Sequence, residues 1–231
     1  MDLADATWLD IEATGGSCVL GVPIGSLEQH GPHLPLDTDT RIAVELTRRL
    51  SGLRPHVVVA PAVAYGASGE HAGFPGTLLV NHEVLAEQLL ELARSARSAF
   101  AGLVLISAHG GNGAALSMVA DRSAVEGDPV LAWSAGAAEG DAHAGRTETS
   151  LMLAIDETAV RLELAEAGCT APLATILPRL RAEGVRPVSS NGVLGDPHGA
   201  SAAEGHRLLE SMTSTLVDAV DARWPRPDQQ S

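Results

Sequence analysis

Short apolar runs alternate with helix-length amphipathic stretches along most of this chain, and that alternation leaves few folds open. SCVLGVPIG (17–25) is too short for a buried helix and ends in Gly and Pro, so it reads as a buried strand. HVVVAPAV (56–63), AGLVLIS (101–107) and DPVLAWSA (128–135) read the same way. Between them, TDTRIAVELTRRL (38–50) carries Ile42, Val44, Leu46 and Leu50, with Thr38 or Asp39 available as a cap. HEVLAEQLLELARSARSAF (82–100) has the clearest helical stripe, Leu85, Leu89, Leu92, Ala96 and Ala99. Helices are also expected at 113–125, 147–160 and 201–224, and a Gly-rich loop over 64–81. This order predicts an α/β chain, a three-layer α/β/α domain with a mainly parallel sheet. One domain is expected over 1–224, and the polar tail PRPDQQS (225–231) is expected to be disordered.

Aromatic residues make up only 3 %, so the core must be aliphatic. The net charge of −14 argues against nucleic acid and anionic membranes as partners. All 15 basic residues are Arg, which removes Schiff-base, pyridoxal-phosphate and phosphate-loop lysine chemistry. Cys18 and Cys169 are too few for a disulfide framework, and Cys18 reads as a small buried hydrophobe. The N-terminus MDLADATWLD lacks the basic and apolar regions of a signal peptide, and no apolar run approaches a membrane span, so a cytoplasmic protein is expected.

In open parallel sheets ligands gather beyond the carboxyl ends of the strands. Three polar clusters fall there: GSLEQHGPHLPLDTDT (25–40), SAHGGN (107–112) and DAHAGRTETS (141–150). Glu28 and His30 are two apart, so in extended backbone they point the same way, and Gly31-Pro32 turns the chain so that Asp39 can return to them. The alternative is a polar turn with a capping Asp. His33 and Asp37 are expected in supporting or local roles. His109 projects from a strand end, and Gly110-Gly111 would let backbone approach a metal or substrate; Asn112 could orient His109 or cap the next helix. His143 lies among Ala and Gly and is expected to be accessible. Glu148 is either a site acid or a carboxylate attracted to a helix N-terminus, and Asp141 and Arg146 read as surface charges. Three carboxylates, Glu28, Asp39 and Glu148, with neutral His30 and His109 suit two divalent ions better than one, and Asp39 is the natural bridge.

GSLEQHGPHLPLDTD, EHAGFPGT (70–77), SAHGGN and HAGRTETSLML together resemble the creatininase (creatinine amidohydrolase) family, over about residues 17–212. The resemblance implies an α/β/α fold, a dinuclear centre of zinc and/or iron (or manganese), amide hydrolysis and a homo-oligomer. Position by position, Glu28, His30, Asp39 and His109 match the family's metal ligands, with Asp39 bridging. Glu148 matches the acid of its E-T-S motif, and His143 a histidine that assists proton transfer or holds substrate. Glu70 and His71 are expected to touch substrate, although Gly73, Pro75 and Gly76 could equally serve turn geometry.

Two departures bear on substrate. Creatinine-cleaving members carry a Glu where this chain has Gly111, and another where it has Ala142. One ligand must then come from elsewhere, and Glu148 is the expected source. Trp133 is the only aromatic between His109 and His143, so it is the candidate substrate-contacting aromatic, and creatinine is not the expected substrate. LPLDTDTRIA and DAHAGRTETSLMLAID are most similar to the mycofactocin-system branch. That branch implies a peptidase that cleaves a modified precursor peptide and releases its C-terminal Val-Tyr-derived pyrrolidinone. Other cyclic-amide or formamide hydrolases of the family, or an inactive metal-binding scaffold, are the alternatives.

Overall fold

A computed structural model describes residues 1–136 and 140–225. The expected tail beyond Pro225 lies outside the described residues. The elements run α1 (Trp8–Glu12), β1 (Val19–Ile24), α2 (Thr38–Leu53), β2 (Val57–Val59), α3 (His82–Ala96), β3 (Gly102–Ser107), α4 (Gly113–Glu126), β4 (Val130–Ser134), α5 (Arg146–Asp156), α6 (Leu173–Glu183) and α7 (Ala202–Arg223).

The four strands form a parallel sheet in the order β2-β1-β3-β4. Alternate residues face opposite layers, as the strand period of two requires. Leu20, Val22, Leu103 and Leu105 pack with Leu85, Leu89 and Leu90 of α3 and Ala115, Leu116 and Val119 of α4. Val19, Val104 and Ile106 pack with Ile42, Leu46 and Leu50 of α2, Leu151 and Met152 of α5, and Leu209 and Leu216 of α7. The expected α/β/α layering and mainly parallel sheet are therefore present.

Register brings the strand ends together. Ile24 pairs with Ser107, and Ser107 with Ser134, so the three segments that follow leave the same edge of the sheet side by side. β2 is shorter than the run 56–63 suggests. Its ladder stops at Val59, two residues before Pro61, and contact resumes only as a single bridge between Ile24 and Val63. Pro23 stands in a central strand, but its missing N–H faces the β2 side where that ladder has already ended, and its carbonyl, on the same side, accepts from Val63 N–H.

Two helices lack an expectation from sequence. α1 is a single turn held by a reciprocal Thr7–Asp10 capping box, too short to show a period. α6 contains Pro178 and buries only Ile176 and Leu180, so its stripe is weak. No helix among the described residues is long and apolar enough to cross a membrane.

Candidate active site

The loop after β1 is built for close packing against α2. A Cβ on Gly25 would overlap the backbone of Thr40, so only glycine lets the helix start this near the strand. Gly31 has φ +66 and turns the chain after His30. Asp39, in the first turn of α2, thereby returns to the loop, where the Ser26 hydroxyl donates to its Oδ2 at 2.7 Å. The residue before α2, Asp37, makes no side-chain cap; it pairs instead with Arg41 at 2.8 Å.

Asn112 precedes α4, but its side chain neither hydrogen-bonds the His109 ring nor caps the helix. Its amide clamps two loops, accepting from Ala67 N–H at 2.9 Å and donating to the Gly25 carbonyl at 3.0 Å. The Asp141 carboxylate accepts from the N–H groups of Arg146 and Thr147 at the start of α5. Arg146 pairs with Glu204 on α7 at 2.7 Å. Ala144, buried, sits at φ 52, a left-handed conformation that costs a non-glycine residue roughly 1–3 kcal/mol. This strained residue sets the corner between His143 and Glu148.

The centre itself is a dense set of imidazoles and carboxylates. Asp39 Oδ1 lies 3.3 Å from His30 Nε2, and Asp39 Oδ2 lies 3.2 Å from His109 Nδ1. Glu28 Oε2 lies 3.2 Å from His109 Nε2, and Glu28 Oε1 lies 3.2 Å from His71 Nε2. Glu148 Oε2 lies 3.9 Å from both His30 Nε2 and His143 Nδ1, and also accepts from Ala144 N–H at 2.6 Å. Glu148 thus serves the helix start and reaches the centre. The His30 Nδ1–H donates to the Glu28 backbone carbonyl at 3.1 Å, which aims Nε2 at the carboxylates.

Burial alone would depress the His30 imidazole, but Asp39, Glu148 and Glu28 outweigh it and raise it to about 10. Burial likewise opposes Glu28 and Asp39 at His109, and the carboxylates again win, raising it to about 10. Burial lifts Glu28 to about 7 against the pull of His109, and lifts Glu148 to about 7 against that of His30. At Asp39 the two histidines prevail over burial and hold the carboxyl well below its usual range. His143 and His71 are pushed the other way, His71 to about 3, by burial and then by neighbouring imidazoles.

The donor set fits divalent ions. Both oxygens of fully buried Glu28 lack an aligned hydrogen bond, a costly state for a carboxylate unless a cation meets it. Glu28, Asp39 and His109 form one group of converging ligand atoms; His30, His143 and Glu148 form a second; Glu28, His71 and His143 form a third. Mixed imidazole and carboxylate donors of this kind suit zinc, manganese and iron.

One site residue sits differently from the expectation. His143 is buried, because the Gln29 carbonyl and a backbone bridge to Leu194 cover it. His71 is buried behind Glu28, whereas Glu70 stays partly open at the rim, its Oε1 3.8 Å from His109 Nε2. Trp133 packs in β4 against the α2/α5/α7 side of the core. His33 Nε2 meets the Thr149 hydroxyl at 2.9 Å, behind the centre. Gly111 admits no side chain: a Cβ there would overlap His109 Nε2 and the Ala67 carbonyl oxygen, and Glu70 Oε1 lies 2.7 Å from that point. Other acids reach the centre from elsewhere, Glu70 from the 64–81 segment to the His109 side and Glu148 from α5 to the His30 side. Gln29 and Ser26, which touch the cluster from inside the first motif, carry no metal or acid signature and so escape a reading by residue type.

A cavity of about 180 Å³ lined by Ile42, Ala108, Ala135, Leu151 and Met212 has Glu148 in its wall. A larger groove of about 580 Å³ between α2 and α7 holds one carboxylate, Glu210, and no imidazole, so it offers no comparable chemistry.

The family model described as Creatininase, creatinine amidohydrolase, matches residues 4–220. A relative from Mycobacterium ulcerans (strain Agy99), named mycofactocin precursor peptide peptidase, is 48 % identical over 217 residues, covering 90 % of this chain and 86 % of its own. A crystal structure of creatinine amidohydrolase (creatininase) is 26 % identical and superposes with a TM-score of 0.80, covering 97 % of this chain and 98 % of that one. A mutant creatininase described as the Zn-Zn type, 24 % identical, shares the fold with a TM-score of 0.79 over 97 % and 98 % of the two chains.

Proposed function

Since the chain belongs to the creatininase family of hydrolases, we propose that it is a metal-dependent peptidase acting on the mycofactocin precursor peptide. In this reading it cleaves the modified precursor and releases the C-terminal Val-Tyr-derived pyrrolidinone. It works as a cytoplasmic homo-oligomer holding two divalent ions per subunit, zinc and/or iron, with manganese a further candidate.

The observation that carries the reading is the buried Glu28 carboxylate among His71, His109 and His143, with Asp39 placed between His30 and His109. Glu28, Asp39 and His109 would hold one ion, and His30 and Glu148 the other, with Asp39 shared. Bound ions would supply Lewis-acid polarisation of the amide carbonyl and a lowered pKa for a coordinated water.

The chain's own groups handle the proton. Hydrolysis adds one water across the C–N bond, so the carbonyl carbon gains a hydroxyl and the leaving nitrogen needs a proton. Glu148, 3.9 Å from His143 Nδ1 and beside the pair of ions it would help hold, is placed to carry that proton. His143 stays neutral, and its Nδ1, 3.9 Å from Glu148 Oε2, can share the relay. Glu70, partly open and 3.8 Å from His109, would contact the substrate.

The test is to incubate metal-loaded protein with the precursor already modified by its maturing enzyme, and to follow the small C-terminal product by mass. Its appearance, dependent on the loaded metal, is expected. Intact precursor alongside turnover of formamide or creatinine would move the chain to another branch of the family.

A further inference from the structure

Gln29 stands between Glu28 and His30 in sequence, and its side chain is buried. Two backbone groups fix which way its amide faces. Oε1 accepts from Gly31 N–H at 2.8 Å, and Nε2 donates to the Gly192 carbonyl at 3.0 Å. An N–H cannot accept and a carbonyl cannot donate, so the amide cannot be turned over. Gly192 has φ +84, and a Cβ there would overlap Gln29 Oε1, so the 189–195 loop is keyed to this one side chain.

The remaining amide hydrogen meets His71 Nδ1 at 2.9 Å. That nitrogen must offer a lone pair, so the single proton of the neutral ring lies on Nε2, which faces Glu28 Oε1 at 3.2 Å. His143 is set by the same residue's backbone. Its Nε2 lies 2.8 Å from the Gln29 carbonyl oxygen, which can only accept, so Nε2 carries the proton. The 3.1 Å approach of Gln29 Nε2 to that same nitrogen is then a contact between two donors. His143 Nδ1 is left with a lone pair, 3.8 Å from Glu28 Oε1 and 3.9 Å from Glu148 Oε2.

The geometry points to Gln29 as a positioning residue that fixes both rings in the Nε2–H tautomer while turning opposite ends of them to the centre. His71 turns its proton toward Glu28 Oε1 at 3.2 Å; His143 presents a lone pair. Within the Glu28, His71 and His143 group, only His143 is then available to an ion or a proton. The partners that orient metal ligands typically govern affinity or activity by about 10- to 100-fold.

The assignment does not depend on which amide is cleaved, so failure of the precursor assay leaves it standing. The test is nitrogen NMR of histidine-labelled protein, metal-free and zinc-loaded. Wild type should show an unprotonated Nδ1 and a protonated Nε2 at His71. Gln29→Glu replaces the donor with an acceptor and should reverse the His71 tautomer. Gln29→Leu should lose the fixed pattern at His71 and weaken zinc binding by about 10- to 100-fold. A wild-type His71 protonated on Nδ1 overturns the proposal, whether or not the variants fold. So does an unchanged His71 pattern in both variants. Undiminished zinc affinity beside a changed pattern overturns the positioning role of Gln29 toward the centre.

Discussion

Asp39 faces His30 with one carboxylate oxygen and His109 with the other, at 3.3 and 3.2 Å, while Ser26 holds it from behind. Its removal leaves two imidazoles without the anion between them. Asp39→Ala is therefore expected to lower bound metal to about a tenth or less at fixed free metal, with loss of activity. Elemental analysis after equilibrium dialysis checks this; near wild-type metal content would remove Asp39 as the shared ligand. At this scale most of the candidate donors were legible in sequence. Glu28, His30 and Asp39 share one short segment, and His109, His143 and Glu148 each follow a strand. What could not be read was the state of each ring. The burial of His143 under Gln29 and Leu194, and of His71 behind Glu28, depends on loops from distant parts of the chain.

Elements meet here through glycines at backbone distance. Gly205, in the first turn of α7, lies against α5, and a Cβ there would overlap the Ser150 carbonyl oxygen. Gly→Ala in a helix ordinarily gains about 1 kcal/mol from propensity. At this position the collision is with backbone, which cannot rotate away, and overpacking of this kind costs about 1–3 kcal/mol. Gly205→Ala should therefore destabilise the protein and, because α5 carries Glu148, disturb the centre as well. Urea unfolding reads the sign, and a stabilised variant would mean that α5 and α7 are less tightly apposed. Elements with a strong period, such as α3 and α7, were legible. β2 was shortened by Pro61, and α6 was hidden by Pro178 and a sparse apolar face.

For the whole molecule, the centre couples ion binding to stability. Without ions, His30 and His109 are raised from 6.5 to about 10 by the carboxylates around them. Their stabilising contribution is complete below 6.5 and is lost as pH rises through about 10. Glu28 and Glu148, raised from 4.5 to about 7, add a penalty over that lower interval in the same direction. Asp39, held well below 3.8, contributes in the opposite sense, but its loss falls at pH values below this window. His33 and His71, pushed down to about 4 and about 3, and His143, also pushed down, act in the opposite sense up to about pH 6.5. Metal-free protein should thus lose thermal stability from about pH 7 to about pH 9, while the metal-loaded form, with cations in place of those protons, changes less. Melting curves of chelator-treated and reloaded protein across that range check it; equal slopes would contradict the coupling. The layered architecture and most of the donor inventory follow from the order of residues, because periodicity and side-chain chemistry are local properties. Which donors meet, that Gly111 must stay bare beside Glu70, and which nitrogen each histidine shows all depend on the folded arrangement. Those are contacts of about 3 Å between residues up to 163 positions apart, and they exist only once the sheet register and helix packing have been set.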